Sequence, residues 1–302
     1  MANLDVSRAE RLDMRVIAMY PDLTRTVSAR LINQGKVTVN GEIVTKAGHK
    51  LRVGDDVVAT YNYEVMTAIP SIELPILYED DDCVVIEKPI GVLSHSKGDF
   101  NPEATVASWL AEHLVNKGKT PVWILEQDVL RGSPHNPRAG IVHRLDRATS
   151  GVMICAKTPS ALTHLQKQFS QRKTKKTYVA VVAGHLKEPH AIIDMPIARN
   201  PKQPKTFHVN SGGKSAVTEY KVLQSGDRHD LVELKPVTGR THQLRVHMRQ
   251  LGHPIIGDTF YAGPTADRLY LHAQSLEITL PNSERRTFEA PLPDSFATKA
   301  AV

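Results

Sequence analysis

Two periodicities of apolar and polar positions run along this chain, and the change between them divides it. Early on, RLDMRVIAMY places Leu12, Val16 and Met19 on one helical face, and LTRTVSARLINQG turns Val27, Leu31 and Ile32 inward before Gly35 ends the helix. KVTVNGEIVTK then reads as two alternating runs joined by Asn40-Gly41, a dipeptide that accepts the positive φ of a tight hairpin turn. VGDDVVATY adds a strand after a Gly54-Asp55 turn. These elements predict a small α+β unit over residues 8–62, followed by a linker over 63–75 in which Pro70 and Pro75 act as breakers.

From Ile76 the dominant pattern is the short strand: ILYED, CVVIEKP, AGIVH, GVMICAK, TYVAVVAG, AVTEYKVL, DLVELKPV, LYLHAQSLEITL and RTFEAPLP. Helices are predicted near 103–115, over 159–171 and near 240–251. The second has Thr158 as N-cap, Pro159 at its first position, and Leu162, Leu165 and Phe169 on one face. Residues 76–295 therefore read as an α+β domain built on a mainly antiparallel mixed sheet. Residues 116–138 carry no assignable pattern.

At about 150 residues per domain, 302 residues suggest roughly two domains. The pattern divides them unequally. The net charge is +6 with a pI near 9.2, which permits a nucleic-acid partner without requiring one. No stretch reaches 18 uninterrupted apolar residues, so no membrane span is expected, and the acid-bearing MANLDVSRAERLD lacks the apolar core of a signal peptide. Cys83 and Cys155 each lie in an apolar run and read as small buried thiols of a reducing cytoplasm, and the absence of a CxxC pair argues against a zinc ribbon.

The most informative segment is AGIVHRLDRATSGVMICAK, residues 139–157. Asp146 sits between two strand-like runs, just before the small turn Thr149-Ser150-Gly151. A carboxylate held on such a turn is rigid, as a nucleophile or base must be, and the flanking Arg144 and Arg147 favour its ionised form. On spacing alone, a structural turn acid is the commoner explanation. Downstream, Leu234 to Gly257 contains no acidic residue but carries Lys235, Arg240, Arg245 and Arg249 with His242, His247 and His253. On a helix His242, Arg245 and Arg249 share one face, and Leu244, Met248 and Leu251 another. His242 and His247 diverge and no carboxylate lies between them, so they read as core or ligand-facing residues rather than a metal site. Further basic clusters are Arg172, Lys173, Lys175 and Lys176, and the loop of Arg199, Lys202 and Lys205. Each is a solvated surface run unless phosphate contacts occupy it.

The order helix, helix, Asn-Gly hairpin, GDxV strand resembles the S4 RNA-binding domain, with RLD, Thr24-Arg25, INQGKVTVNG and VGDDV carrying the match. The resemblance implies Arg11, Arg25, Arg30 and Lys36 as RNA-phosphate contacts. HRLDRATSG closely resembles the HRLDxxTSG signature of the RluA-type pseudouridine synthases. LYEDDDCVVIEKPIGVLSH, RKTKKTYVAVVAGH, KSAVTEYKVL, KPVTGRTHQLRVHMRQLGHPIIGD and LYLHAQSLEI match further family blocks in family order. The resemblance implies the pseudouridine synthase fold and Asp146 as the catalytic residue, with Tyr178 and Arg245 beside it. It implies Arg144 near a flipped base, with His143, Thr149, Leu244, Arg240 and His242 in the substrate site. Lys173, Lys175, Lys176, Lys202 and Lys205 become expected RNA contacts.

Uridine isomerisation involves no net redox change and adds no external group, so neither cofactor nor metal is expected. The expected partner is RNA, foremost ribosomal RNA of the large subunit, with transfer RNA or both RNA types as the alternative. No DNA or membrane partner is expected, and the protein is read as a cytoplasmic monomer. A non-catalytic RNA-binding ribosome-assembly factor is the competing class. The joint presence of Asp146, Tyr178 and Arg245 speaks against it.

Overall fold

The computed structural model describes residues 2–5, 9–20, 23, 25–60, 69–96, 103–118 and 140–301. Arg8, Thr24, most of the expected linker and nearly all of the unassigned segment 116–138 lie outside the described residues. The chain divides into two compact units, one built chiefly on residues up to Pro70 and the other on residues from Ser71 onward.

The smaller unit runs β1 (Ala2–Asp5), β2 (Glu10–Arg11), α1 (Leu12–Met19), α2 (Arg25–Asn33), β3 (Val37–Val39), β4 (Glu42–Ile43), β5 (Lys50–Leu51) and β6 (Asp56–Ala59). Its sheet has the order β1-β6-β3-β4, and β2 pairs with β5. The apolar stripes predicted for the two helices are buried together: Leu12, Val16 and Met19 with Val27, Leu31 and Ile32. Asn40 and Gly41 both adopt positive φ at the β3–β4 turn, and Gly35 at φ +70° ends α2. The pairings of β1 and of β2 with β5 were not expected; the latter involves two residues per strand, too short for a period to show.

One carboxylate organises the basic face of this unit. Asp13 is buried at the start of α1 and accepts bonds from Arg11 (Nε, 2.9 Å) and Arg25 (Nε, 3.1 Å). The two guanidiniums stay about half and two-thirds exposed, at 48% and 63%. Arg11 and Arg25, read above as independent cations, are thus presented as a pair. Arg30 is half-buried and Lys36 exposed.

The larger unit runs β7 (Ile76–Glu79), β8 (Cys83–Lys88), α3 (Val106–Asn116), β9 (Ser150–Ala156), α4 (Pro159–Ser170), β10 (Lys175–Ala183), β11 (His190–Asp194), β12 (Ile197–Arg199), β13 (Phe207–Val209), β14 (Val217–Ser225), β15 (His229–Pro236), α5 (Gln243–Gln250), β16 (Leu271–Thr279), β17 (Arg285–Glu289) and α6 (Ser295–Ala301). Nine strands form one mixed sheet of order β11-β14-β15-β10-β16-β9-β8-β7, with β17 added to β16. Its described ladders are antiparallel except β9 beside β16. This is the expected α+β architecture. Cys83 and Cys155 are buried strand thiols. AGIVH is not a strand: Ile141 makes a single bridge to Cys155 before the chain turns away. The helix expected near 240–251 is confined to Gln243–Gln250, because His242 takes a left-handed conformation (φ +57°) and stands as its N-cap. Arg249, one turn after Arg245, is exposed on α5. Helix α6 lies beyond the last predicted strand and buries Phe296 and Ala300 in the main core.

Asp13 is held down to about 2: its burial opposes ionisation, but the bonds from Arg11, the largest single influence, and from Arg25 outweigh it. A carboxyl whose folded value lies below its unfolded one stabilises the fold above the unfolded value, near 3.9, and loses that contribution as pH falls towards about 2. Asp13→Asn should therefore cost the smaller unit roughly 1–2 kcal/mol at neutral pH and remove its acid sensitivity between about pH 4 and 2. Denaturant unfolding across that range, read by far-UV circular dichroism, measures both.

Candidate active site

The turn 145–149 is pinned by backbone and side-chain bonds before any reacting group is considered. Ser94 Oγ donates to the Leu145 carbonyl at 2.8 Å and accepts the Leu145 N–H at 3.1 Å. Thr149 N–H closes the turn onto the Asp146 carbonyl at 3.0 Å, and Gly91 N–H binds the Arg147 carbonyl at 2.8 Å. Lys88, completely buried at the end of β8, donates to the carbonyls of Pro89 (2.8 Å), Val92 (2.9 Å) and Arg147 (3.4 Å). Burial pushes its ammonium down to about 7, with the charge of Asp146 opposing that fall and Arg147 adding to it. Ser150, where β9 begins, accepts from Arg268 Nη2 (2.6 Å) and donates to His272 Nδ1 (2.9 Å). At Gly151 (φ +115°) a Cβ would meet the Ala273 carbonyl oxygen at 2.1 Å, so only glycine lets β9 lie this close to β16.

Asp146 projects from this turn into a cavity of about 560 Å³, and its carboxylate meets two groups from around the start of α5. Arg245 Nη1 donates to Asp146 Oδ2 at 3.3 Å, and His242 Nε2 lies 3.7 Å from the same oxygen. Arg245 is itself gripped from behind. Its Nε and Nη2 donate to the two oxygens of Asp258 at 2.8 and 2.7 Å, and that carboxylate also accepts the Phe260 N–H at 3.1 Å. The guanidinium lies over the rings of Phe260 and Tyr261, 5.3 and 5.2 Å from their centroids. Burial works against its charge, but Asp258 and Asp146 overcome this and hold it more firmly protonated than a free arginine. Tyr261 Oη accepts the Phe207 N–H at 2.9 Å and lies 2.8 Å from His242 Nδ1. That chain is satisfied when the phenol donates to Nδ1, which leaves Nε2–H facing Asp146.

Tyr178 enters from β10 at a register shift in the ladder to β16. Burial, reinforced by Asp146, raises its phenol far above the ordinary range, so it stays protonated. Leu244 and Leu271 supply apolar wall. The loop before α5 is ordered by Gln243, whose Oε1 accepts from Thr238 Oγ1 (2.6 Å) and Arg240 N–H (3.0 Å). Arg240 turns its own Nε to the Ser215 carbonyl at 2.9 Å.

The cavity thus unites ten of the residues singled out in the sequence: Asp146, Tyr178, Arg245, Arg144, His143, Thr149, Leu244, Arg240, His242 and Lys176. Arg144 is exposed at its wall. His143 stacks on Phe169 (4.5 Å, 16°) and accepts the Ile154 N–H on Nε2, so burial and Lys176 push it down to about 3 and it is neutral. The structure does not bring Lys173, Lys175, Lys202 or Lys205 to this wall. Lys175 pairs with Glu277 at 3.2 Å, and the other three are exposed. His247 is a core residue bonded to Thr218 and to the Met195 carbonyl. Among the described residues no group of three or more His, Cys, Asp or Glu is placed to hold a metal ion, and no helix is long and apolar enough to cross a membrane. Asp258, Lys88, Tyr261 and Gln243 were not singled out from the sequence. The signal for Lys88 was present: it continues the inward parity of Val84 and Ile86.

The family model for RNA pseudouridylate synthase matches residues 82–250, and that for the S4 domain matches residues 10–57. An uncharacterized RNA pseudouridine synthase of Aquifex aeolicus is 40% identical, over 83% of this chain and 77% of its own. Ribosomal large subunit pseudouridine synthase D of Vibrio parahaemolyticus is 35% identical, over 96% of this chain and 90% of its own. The same-named protein of Escherichia coli K12 is 34% identical, over 94% and 87%. Among solved structures, human RNA pseudouridylate synthase domain containing 1 is similar, with a TM-score of 0.57, 30% identity, and 73% of this chain and 84% of that chain covered.

Removing one partner of a buried ion pair leaves the other charge uncompensated, which costs about 3–5 kcal/mol. Asp258→Ala should therefore destabilise the larger unit by about that amount. The double variant Asp258→Leu with Arg245→Met should lose less than the sum of the two single changes, because each single change already leaves the other member of the pair buried without its partner. Urea titrations of the variants give the comparison. Additive losses would mean that the pair is not coupled.

Proposed function

The chain belongs to the RNA pseudouridylate synthase family and carries an S4 domain; from this we propose that it isomerises uridines of large-subunit ribosomal RNA, with Asp146 as the reacting carboxylate. The observation that carries the assignment is the isolation of Asp146. It is the one acid among the cavity's described lining residues, turned toward Arg245 and otherwise surrounded by cations and neutral donors. The choice of RNA rests on the relatives named ribosomal large subunit pseudouridine synthase D, which this chain matches over nearly its full length.

The chemistry needs little else. The N1–C1′ bond of uridine breaks, a C5–C1′ bond forms, the C5 proton leaves and N1 regains one, with no change of oxidation state. Asp146 serves either as a nucleophile or as the base that takes the 2′ proton. Arg245 aims the carboxylate by a charge-assisted bond. Tyr178, held as a neutral phenol, presents its ring to the detached uracil and can pass a proton only as a phenol. Leu244 and Leu271 exclude water from the base. The target must leave its stack to reach this depth, and Arg144, exposed at the cavity wall, fills the space behind it. Thr149, His143, Arg240 and His242 hold the nucleotide, and residues 8–62 supply further phosphate contacts through Arg11, Arg25, Arg30 and Lys36. Lys173, Lys175, Lys202 and Lys205 add backbone contacts outside the cavity. The enzyme is proposed to work as a monomer in the cytoplasm.

Total ribosomal RNA and transfer RNA transcripts, incubated with the protein and with Asp146→Asn, separate the possibilities when pseudouridine is mapped. Product in large-subunit ribosomal RNA alone, abolished by Asp146→Asn, is expected. Product only in transfer RNA moves the substrate, and an active Asp146→Asn removes that residue from the reaction.

A further inference from the structure

Lys176 is a cation of the cavity wall that lacks an acid. Strand alternation turns it inward, while its neighbour Lys175 points away and takes Glu277. Glu277 is further occupied by Arg285 at 3.0 Å. Across the ladder from Lys176 on β16 stands Leu276, not an acid. Arg172, just beyond α4, is the charged group that acts on it; Lys176 in turn helps push the neutral His143 down, and Arg240 lines the same cavity beyond Gly239. Asp146 is engaged by Arg245 and His242, and among the described residues no ion pair joins it to Lys176. The position of the ammonium is fixed on one side by the loop before α5: a Cβ on Gly239 would lie 4.0 Å from Nζ. Among the described residues it makes no hydrogen bond or ion pair.

A half-buried cation beside a second cation is unfavourable in the free protein unless an anion completes it. We propose that Lys176, with Arg172 and the Gly239 loop, forms a phosphate subsite inside the cavity that holds an RNA backbone phosphate adjoining the target nucleotide. The inference rests on the RNA substrate reading above. It distinguishes Lys176 from Lys173, Lys175, Lys202 and Lys205, whose exposed ammoniums lie outside the cavity.

The subsite has a titration of its own. Burial, with Arg172 adding to it, brings Lys176 down to about 8 in the free protein. An entering phosphate favours the charged form, so RNA binding takes up a proton above that pH. Affinity then falls as pH rises from about 8, by up to tenfold per unit.

The test measures kcat and KM on a large-subunit ribosomal RNA transcript between about pH 7 and 9 for the wild type, Lys176→Arg and Lys176→Met, with a salt titration of RNA affinity. The wild-type KM should climb above about pH 8. Lys176→Arg, charged throughout, should keep a low KM and lose the climb. Lys176→Met should raise KM about tenfold at pH 7, stay flat with pH, and lower the salt slope by about 0.7–0.9, the share of one phosphate, with kcat within about threefold. A neutral methylphosphonate beside the target should weaken the wild type and leave Lys176→Met unaffected. A fall in kcat at unchanged KM would overturn the proposal by making Lys176 part of the reaction, and so would an unchanged KM and salt slope. If the wild type modifies no ribosomal RNA, the substrate reading fails, while the salt slope and the methylphosphonate comparison still decide the subsite.

Discussion

Arg245 divides one guanidinium between two carboxylates, and the unequal division sets the character of the site. Asp258 takes the bidentate share at 2.7 and 2.8 Å, and Asp146 takes one donor at 3.3 Å. At such separations two unit charges attract by about 5–6 kcal/mol when the effective dielectric is near 20. Without Asp258, a buried arginine left with Asp146 as its one carboxylate partner would close onto it and quench it as a nucleophile or base. With Asp258 in place the desolvation of Arg245 is already compensated, so it can orient Asp146 through a longer bond without capturing it. Phe260 N–H, bonded to Asp258, and the rings of Phe260 and Tyr261 keep that division fixed.

The same economy appears in the backbone. Asp146 must meet a helix that follows it by almost a hundred residues, and the sheet supplies the registration. Strand β9 lies parallel to β16 through His272–Ser150 and Ala273–Gly151. The absence of a side chain at Gly151 lets the strands close, and Ser150 ties the turn to Arg268 and His272. Strand β16 also pairs with β10, which carries Tyr178 and Lys176. The central strand therefore locates both the acid and the aromatic relative to one another. On the other side, Lys88 and Ser94 fasten the turn to the loop after β8. A reacting carboxylate held from two sides has little freedom to lose when the substrate arrives, which is how rigid positioning lowers a barrier.

What could be read in advance follows from the range of each interaction. Helices α1, α2 and α4 declare themselves through apolar spacing, and the β3–β4 hairpin through Asn40-Gly41, because those signals are local. Asp146, Tyr178, Arg144 and Arg245 were legible only through the order of motifs across the chain. Spacing around Asp146 favoured a structural turn. Asp13 and Asp258 were missed for the same physical reason. Each is an ordinary acid in sequence, and its role arises from an arginine that only the fold delivers. His242 shows the reverse case. The helical wheel placed it correctly near Arg245, but a left-handed N-cap, not a helical position, aims it at Asp146. Helix α6 escaped because its seven residues are too few for a period to stand out, and its burial of Phe296 is purely tertiary.

The charge of +6 acquires meaning only after the pleat and the turns have sorted it. Of the run Arg172, Lys173, Lys175 and Lys176, only the first and last line the cavity, where Arg144, Arg240 and Arg245 join them. Five cations lining a cavity with a single carboxylate make a surface that draws a polyanion inward, while Arg245 holds that one negative group in place. A uniformly basic pocket would bind RNA equally well and do nothing to it. A pocket with its acids and bases balanced would exert no net attraction on the backbone that must pass over Asp146. The observed imbalance is the arrangement that permits both, and it depends on Asp258 being withdrawn into the core, where it anchors Arg245 without adding its charge to the wall.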